Sequence, residues 1–170
     1  RIKVNKNELN YGGLASGSYT VNRLLTGMIR VSNSACFEVF HRYVTREKFN
    51  AYLASIGSGT RMTSYGFMGT CKISDRATEW YEIYKYCHSD AKHADYAWRQ
   101  FVTALYSPIR TGLRVKTVAH KGGWYAPDCV RGSAGDCAIV KTRNGGCYLM
   151  IIFIHNNKVG NYSTALMGLI

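Results

Sequence analysis

The sequence predicts an α+β fold, with a mostly helical region over residues 1–110 followed by an antiparallel sheet and a last helix over residues 111–170. Apolar residues recur at helical spacing as far as Tyr106, whereas apolar and polar residues alternate from Arg114 onward. The tetrapeptide Arg143-Asn144-Gly145-Gly146 is typical of a tight turn between antiparallel strands. The 170 residues suffice for a single domain with a hydrophobic core.

The helical region starts after residues 1–19, which are polar and predict an irregular segment. Thr20 and Ser74 are suited to cap helices, and Gly57 is suited to end one. Residues 57–73 are rich in Gly, Thr and Ser and predict a loop. Apolar residues three or four positions apart predict helices over residues 20–29, 35–43, 45–56, 74–87 and 96–106.

Three strands, over residues 114–120, 137–141 and 147–154, predict an antiparallel meander packed by a helix over residues 162–170. Nothing before residue 110 has the pattern of a strand, so the apolar strand 147–154 would leave an unpaired edge. We therefore expect a partial domain whose N-terminal strands are missing from this chain. The start at Arg1 rather than Met agrees with a piece of a longer protein.

The formal charge of +12 is spread along the whole chain. Basic and acidic residues number 8 and 3 in residues 1–50, 7 and 5 in residues 51–110, and 7 and 2 in residues 111–170. This diffuse basic surface suits a polyanion, with nucleic acid, anionic lipid and an anionic cell-wall polymer as candidates. A nucleic-acid partner is disfavoured because no recognised binding motif is present. No apolar run approaches the roughly 20 residues of a membrane span.

The six cysteines include no Cys-x-x-Cys pair, so we expect neither a zinc site nor another metal or cofactor. Six cysteines in a chain of this length favour an oxidising, extracytoplasmic location, whether secreted, periplasmic or at the cell surface. Cys129 and Cys137 would close the shortest loop and are the best disulfide candidates, although the other pairings stay open.

Two polar segments are candidates for chemistry. Lys121 is followed by Gly122 and Gly123, which places a cation beside open backbone where a carboxylate or a developing oxyanion can lie. The alternative is a solvated lysine at a turn. The segment Ser32-Asn33-Ser34 opens an apolar helix, either as a simple cap or as a hydroxyl and an amide that handle a proton and a substrate.

In their order and spacing these segments resemble the class A β-lactamase and penicillin-binding protein superfamily of serine hydrolases, over its C-terminal two-thirds. Ser32-Asn33-Ser34-Ala35-Cys36 stands where that family has Ser-Asp-Asn-Thr-Ala, after a helix similar to Thr20–Ile29. Val118-Ala-His-Lys-Gly-Gly-Trp124 is similar to its Lys-Thr/Ser-Gly strand, and Asp136–Val140 resembles the strand that follows. The resemblance covers nearly all 170 residues.

The resemblance implies a reaction in which a Ser-x-x-Lys serine attacks a β-lactam or an acyl-peptide carbonyl. Ser32 would relay the proton, and Lys121 would face Ser32 across one cleft and hold the substrate carboxylate. The substrate-binding positions would be Asn33, Ser34, Gly122 and Gly123. A shift by one residue would instead give Asn33 the role of the motif asparagine.

Three departures from the family pattern are visible. No Ser-x-x-Lys precedes Ser32, and the one copy, Ser89-Asp90-Ala91-Lys92, follows it and is interpreted as a chance match. Gly122 replaces a hydroxyl-bearing Thr or Ser. Residues 57–73 correspond to the loop that carries the deacylating Glu of class A β-lactamases, but contain neither Glu nor Asp.

Three functions therefore stay open at this point. The first is the C-terminal part of a secreted serine hydrolase that acts on β-lactams or cell-wall peptide amides, its nucleophile supplied by a missing N-terminal part. The second is a catalytically inactive pseudoenzyme of the same fold that binds peptidoglycan peptide or a protein. The third is a basic, disulfide-stabilised binding protein.

Overall fold

The computed structural model describes residues 1–64, 67–68, 71–124 and 132–156. The helix predicted over residues 162–170 lies outside them. The chain divides into two compact units, residues 1–82 and 83–170, which are described in turn.

The first unit combines helices with two short hairpins. Its elements are β1 (Ile2–Val4), a short 3-10 turn (Lys6–Glu8), β2 (Gly17–Tyr19), α1 (Val21–Ile29), α2 (Ser34–Val44), α3 (Arg46–Ser55), β3 (Met62–Ser64) and β4 (Phe67–Met68). Helix α4 (Ile73–Cys87) follows, and the division between the two units falls inside it.

The second unit carries the larger sheet. It contains α5 (Ala94–Val102), α6 (Pro108–Gly112), β5 (Thr117–Trp124), β6 (Gly132–Lys141) and β7 (Cys147–Asn156). The three strands form an antiparallel sheet in the order β5-β6-β7, so the predicted meander and the α+β class are confirmed. β5 starts three residues later than the predicted 114–120 and ends four residues later, β6 starts five residues before the predicted 137–141, and β7 ends two residues after the predicted 147–154.

The four short strands of the first unit correct the expectation that no strand precedes residue 110, and β3 and β4 also correct the loop predicted over residues 57–73. β1 pairs antiparallel with β2, with Ile2 opposite Tyr19, and β3 pairs antiparallel with β4. Strands of two or three residues are too short to show alternation in a sequence, and residues 1–19 are mostly polar. These pairs depend on contacts made by the folded chain.

Helix starts follow the predicted capping chemistry with one correction. The Thr20 hydroxyl accepts a hydrogen bond from the Arg23 amide at 3.2 Å and caps α1. Ser74, predicted as a cap, lies inside α4, and Asp75 accepts the Lys72 amide at 2.9 Å instead. Lys72 directly precedes α4, so an acid of the first turn accepts the backbone amide of the residue before the helix, and its charge suits that helix end.

Each unit has its own apolar core. In the first unit, β1, β2, α1 and α2 share a cluster formed by Ile2, Val4, Tyr19, Leu24, Cys36 and Val39. In the second unit, α6 packs on the sheet through a cluster formed by Ile109, Val118, Ala138 and Val140. The sheet therefore has one face covered by α6, and the side chains at Val118 and every second residue along β5 point toward that face.

Candidate active site

The connection between α1 and α2 carries Ser32 in an unusual backbone conformation. Its φ of 56° lies in the left-handed region, which a residue other than glycine adopts at a cost of about 1–3 kcal/mol. Ser32 is half-buried, and the next residue, Asn33, donates its backbone N–H to the Gly27 carbonyl at 2.9 Å. Thr45, which connects α2 and α3, has a similar φ of 70°, so positive φ is a feature of both helix connections.

Close approach of the two helices sets the place of this connection. A Cβ at Gly27 of α1 would lie 2.5 Å from the Cys36 Sγ atom of α2, so only glycine fits there. The Asn33 side-chain oxygen accepts the Cys36 amide at 2.9 Å and caps α2. Asn33 thereby shapes the start of α2, while Ser34, the first residue of that helix, is exposed.

Glu38 of α2 is a fully buried carboxylate that the sequence analysis missed. It accepts hydrogen bonds from the Asn10 amide at 2.8 Å, the Asn10 side chain at 2.9 Å and the Tyr11 amide at 3.3 Å, and the Arg42 guanidinium pairs with it at 2.7 Å. The segment that follows reaches the Ser32 region, because a Cβ at Gly13 would lie 3.2 Å from the Asn33 side-chain nitrogen. Glu38 thus anchors residues 10–11 to α2.

Lys121, Gly122 and Gly123 lie on β5, at one end of the strand order in the described sheet. Successive residues of a strand face opposite sides. A Cβ at Gly122 would lie 3.0 Å from the backbone oxygen of Tyr106, so residue 122 faces the protein interior. A Cβ at Gly123 would meet none of the described residues within 4 Å, and Lys121 shares that more open face.

This geometry gives a physical reason for the missing hydroxyl at position 122. A Thr or Ser there would press its Cβ against the Tyr106 carbonyl, which is backbone and has little freedom to move. We expect Gly122→Ala to lower the free energy of unfolding by about 1–3 kcal/mol through overpacking. Urea denaturation measures the change. The matched variant Gly123→Ala should leave the free energy of unfolding unchanged. Equal losses in the two variants would contradict the orientation of β5 described above.

The Lys121 ammonium is held in a partly buried place, where it donates a hydrogen bond to the Gly122 carbonyl. Burial lowers the pKa of Lys121, and the negative charge of Asp136 opposes that effect. Asp136 lies opposite Gly122 on β6, and its carboxylate is fully buried. The carboxylate therefore favours the charged form of Lys121, as anion recognition requires.

Two carboxylates of α4 contact residues 57–73, the segment predicted as a loop. Asp75 accepts the Gly59 amide and the Lys72 amide, each at 2.9 Å, and these backbone hydrogen bonds lower the pKa of its carboxyl. Glu79 accepts the Ser58 hydroxyl at 2.7 Å and pairs with Arg76. Both carboxylates are used to shape the loop, which leaves them poorly suited to act as a general base for water.

The Ser-x-x-Lys match at Ser89 lies just past the end of α4. The Ser89 hydroxyl donates to the Tyr86 carbonyl at 2.8 Å and accepts the Ala91 amide at 3.3 Å. Ser89 and Lys92 are both exposed. The serine therefore closes a local turn at a helix end.

The cysteines and the possible metal-binding groups were compared with the prediction of a disulfide and of no metal site. Cys36, Cys71, Cys87 and Cys147 are thiols in the structure, and burial raises the pKa of Cys87 to about 11. Cys129 lies outside the described residues, so the proposed Cys129–Cys137 disulfide stays a prediction. Within the described ranges, no group of three His, Cys, Asp or Glu side chains is placed to hold a metal ion.

A Ser-Asn-Ser connection in a helical region, followed by a Lys-Gly-Gly strand in an antiparallel meander, places the two candidate segments in the order in which they occur in the β-lactamase fold. The sequence profile of the Beta-lactamase enzyme family matches residues 2–170. The chain belongs to that family. No curated protein sequence matches this chain. None of the described helices is long and apolar enough to cross a bilayer.

Solved structures share the fold at low sequence identity. PBP-A superposes with a TM-score of 0.78 at 17% identity, over 92% of this chain and 60% of that one. The class A β-lactamase from Mycobacterium abscessus superposes with a TM-score of 0.71 at 13% identity. The match covers 99% of this chain and 70% of that one. An ancestral class A β-lactamase superposes with a TM-score of 0.72 at 15% identity. The match covers 99% of this chain and 73% of that one. The present chain thus spans 60% of the length of PBP-A, and a mutant of PBP-A forms an acyl-enzyme complex with penicillin G.

Proposed function

We propose that this chain is the C-terminal part of an extracytoplasmic serine hydrolase that recognises β-lactams or the acyl-peptide amides of the cell wall. Ser32 relays the proton to the leaving nitrogen, and Lys121 binds the substrate carboxylate. The nucleophile belongs to a Ser-x-x-Lys segment outside these 170 residues. Asn33 and Ser34 on one segment, and Gly122 and Gly123 on the other, border the acyl group.

The observation that carries this proposal is the arrangement of β5. A partly buried ammonium on Lys121 shares a strand face with Gly123, where a Cβ would meet no atom of the described residues within 4 Å. Glycine at that position lets a peptide-like backbone lie close to the strand. The buried Asp136 carboxylate sustains the positive charge that attracts the ligand carboxylate.

Slow turnover of an acyl-enzyme is part of the proposal. Fast hydrolysis requires a general base that activates water. Residues 57–73 hold no Glu or Asp, and the nearby Asp75 and Glu79 already accept hydrogen bonds from that loop. An acyl group delivered to this site would therefore persist, as suits a penicillin-binding protein more than a β-lactamase.

The first test asks whether these 170 residues react with a fluorescent penicillin. We expect no covalent adduct by intact mass or gel fluorescence, because the serine that must be acylated is absent. The Ser89→Ala variant is the matched control, since it removes the one Ser-x-x-Lys serine. An adduct on the unmodified chain that disappears in Ser89→Ala would overturn our interpretation of Ser89.

The inactive pseudoenzyme is the second candidate, and the glycine at position 122 favours it because the substrate carboxylate loses a hydroxyl partner there. The two functions are separated by expressing the chain together with the coding region upstream of it. An adduct on a Ser-x-x-Lys serine supports the hydrolase. Reversible penicillin binding without an adduct supports the pseudoenzyme, and absence of any binding leaves the basic binding protein.

A further inference from the structure

One end of the three-stranded sheet carries a cluster of basic side chains that the proposed reaction does not use. Lys141 ends β6, Arg143 follows it in the turn toward β7, and Lys116 directly precedes β5. The Lys116 backbone N–H donates to the Lys141 carbonyl at 3.0 Å, which joins the start of β5 to the end of β6. Lys116, Lys141 and Arg143 form this cluster, named here the basic end.

The side chain of Lys141 is the fixed member of the basic end. Its ammonium lies 2.9 Å from the His88 Nε2 atom and 4.9 Å from the centre of the Trp98 ring, over the ring. The centre of the His88 ring lies 4.1 Å from that of Tyr84 and 4.7 Å, edge-on, from that of Trp98. An ammonium is attracted to the face of an indole ring. These contacts hold the ammonium in place without supplying a counter-charge.

Carboxylates are missing from the segments that form the basic end. Residues 96–124 and 137–156 contain no Asp or Glu, but five and two Lys or Arg respectively. Asp90 and Asp95, on the segment that links His88 to Trp98, are both exposed. Within the part of the chain that the structure describes, the three residues of the basic end form no ion pair. Neighbouring cations repel one another, and a bound anion relieves that repulsion.

We propose that the basic end binds a phosphodiester-linked polymer of the cell wall, with Lys141 holding one phosphate and Lys116 and Arg143 holding its neighbours along the polymer. A lysine ammonium is a compact point charge that suits a phosphate group. The assignment to a wall polymer, rather than to another phosphodiester, rests on the proposed function, which places the protein at the cell wall.

Nucleic acid carries the same phosphodiester but fits the aromatic residues of this region less well. Proteins that bind single strands present aromatic faces on which successive bases stack. Here the Trp98 ring lies beneath the Lys141 ammonium, and the Tyr84 ring packs against His88. The rings therefore position a cation, and the polymer recognised by that cation needs phosphates but no bases.

The basic end is separate from the residues proposed to bind the acyl group. Thr117 of β5 pairs with Lys141 of β6, and Lys121 lies four residues further along β5. At about 3.3 Å per residue the two positions on β5 are about 13 Å apart. Polymer bound at the basic end would hold the protein on the wall and leave Lys121 available to the acyl group.

NMR titration of the full chain with poly(glycerol phosphate) tests the proposal. We expect the Trp98 indole N–H signal to shift together with the Lys116 and Arg143 amide signals. Binding should weaken as salt is added, because small ions screen exposed charges. Absence of binding at about 0.15 M salt would overturn the proposal. Binding that leaves these three signals unchanged would place the polymer elsewhere and would equally overturn it.

The variant Lys141→Met distinguishes the basic end from general positive charge. We expect it to weaken poly(glycerol phosphate) binding about fivefold, the upper range for an ion pair that water reaches. Arg143→Gln changes an exposed turn residue, leaves the packing of Lys141 intact, and should weaken binding by a similar factor. The matched control Lys48→Met removes the charge of an exposed lysine on α3 and should leave the affinity unchanged. Equal weakening by all three variants would refute the site.

Two further ligands distinguish the sources of the phosphodiester. A thymidine oligonucleotide with the same number of phosphates, and vesicles that contain phosphatidylglycerol, should both bind more weakly than poly(glycerol phosphate). Equal or tighter binding of either ligand would overturn the assignment to a wall polymer.

Reversible penicillin binding keeps this inference apart from the proposed function. Lys141→Met should leave penicillin affinity unchanged, because Lys141 lies outside the acyl site. If the chain binds the polymer at the basic end but does not bind penicillin, the proposed function fails and the phosphodiester site stands. If it binds penicillin but not the polymer, only the present inference fails.

Discussion

Replacing Glu38 with alanine is expected to lower the free energy of unfolding by about 1–3 kcal/mol, because it removes the shared acceptor of several hydrogen bonds. The carboxylate is fully buried and receives the Asn10 and Tyr11 amides together with the Arg42 guanidinium. Its removal takes away the common acceptor of these donors, and the exposed Asn10 and Tyr11 and the partly exposed Arg42 can regain part of the loss from water. Urea denaturation followed by circular dichroism measures the change.

The exposed acid Glu47 is the matched control. It pairs with Arg46 at 3.2 Å, but its side chain is 69% exposed. Water screens such a pair, so Glu47→Ala should leave stability unchanged within error. Similar losses for Glu38→Ala and Glu47→Ala would show that burial of Glu38 is not what holds residues 10–11 to α2.

The second large effect concerns ligand binding at Lys121. In the proposed function its ammonium pairs with the substrate carboxylate, and hydrogen bonds to charged groups contribute about 1.5–3 kcal/mol. Lys121→Met keeps the length of the side chain and removes the charge. We expect the dissociation constant for reversible penicillin binding to rise about 10–100-fold, since about 1.4 kcal/mol corresponds to tenfold.

Lys116→Met tests whether this loss reflects net charge alone. Lys116 is exposed just before β5, and its substitution changes the net charge of the chain by the same amount. NMR titration with penicillin should give the same affinity for Lys116→Met as for the wild type. Equal weakening by the two variants would indicate diffuse attraction to a basic surface and would remove Lys121 from the site.

The main architecture was predictable because its signals are local. Helical spacing, the Thr20 cap and the turn at Asn144-Gly145 each depend on neighbouring residues, and they locate α1 and the meander correctly. The resemblance to the family rested on the order of short motifs, which a single chain displays in full. The four short strands before residue 110 were missed because two or three residues carry no measurable period.

Contacts between residues far apart in the sequence explain features that a motif match leaves open. Position 122 shows why a motif match is insufficient, because the reason for its glycine is the Tyr106 carbonyl, which lies 16 positions away in the chain. Likewise, Asp75 and Glu79 of α4 become partners of the 57–73 loop only on folding. Neither residue belongs to a recognisable sequence pattern.

By itself, the sequence determined the α+β class, the family, and the identity of Ser32 and Lys121 as candidates, since these follow from local pattern and motif order. Only the tertiary structure decided which polar groups are buried and what they contact. Glu38 is separated from Asn10 by 28 residues, and His120 from Ala104 by 16. Such pairs form because a polar group removed from water must find a partner, and the partner is chosen by how the chain packs.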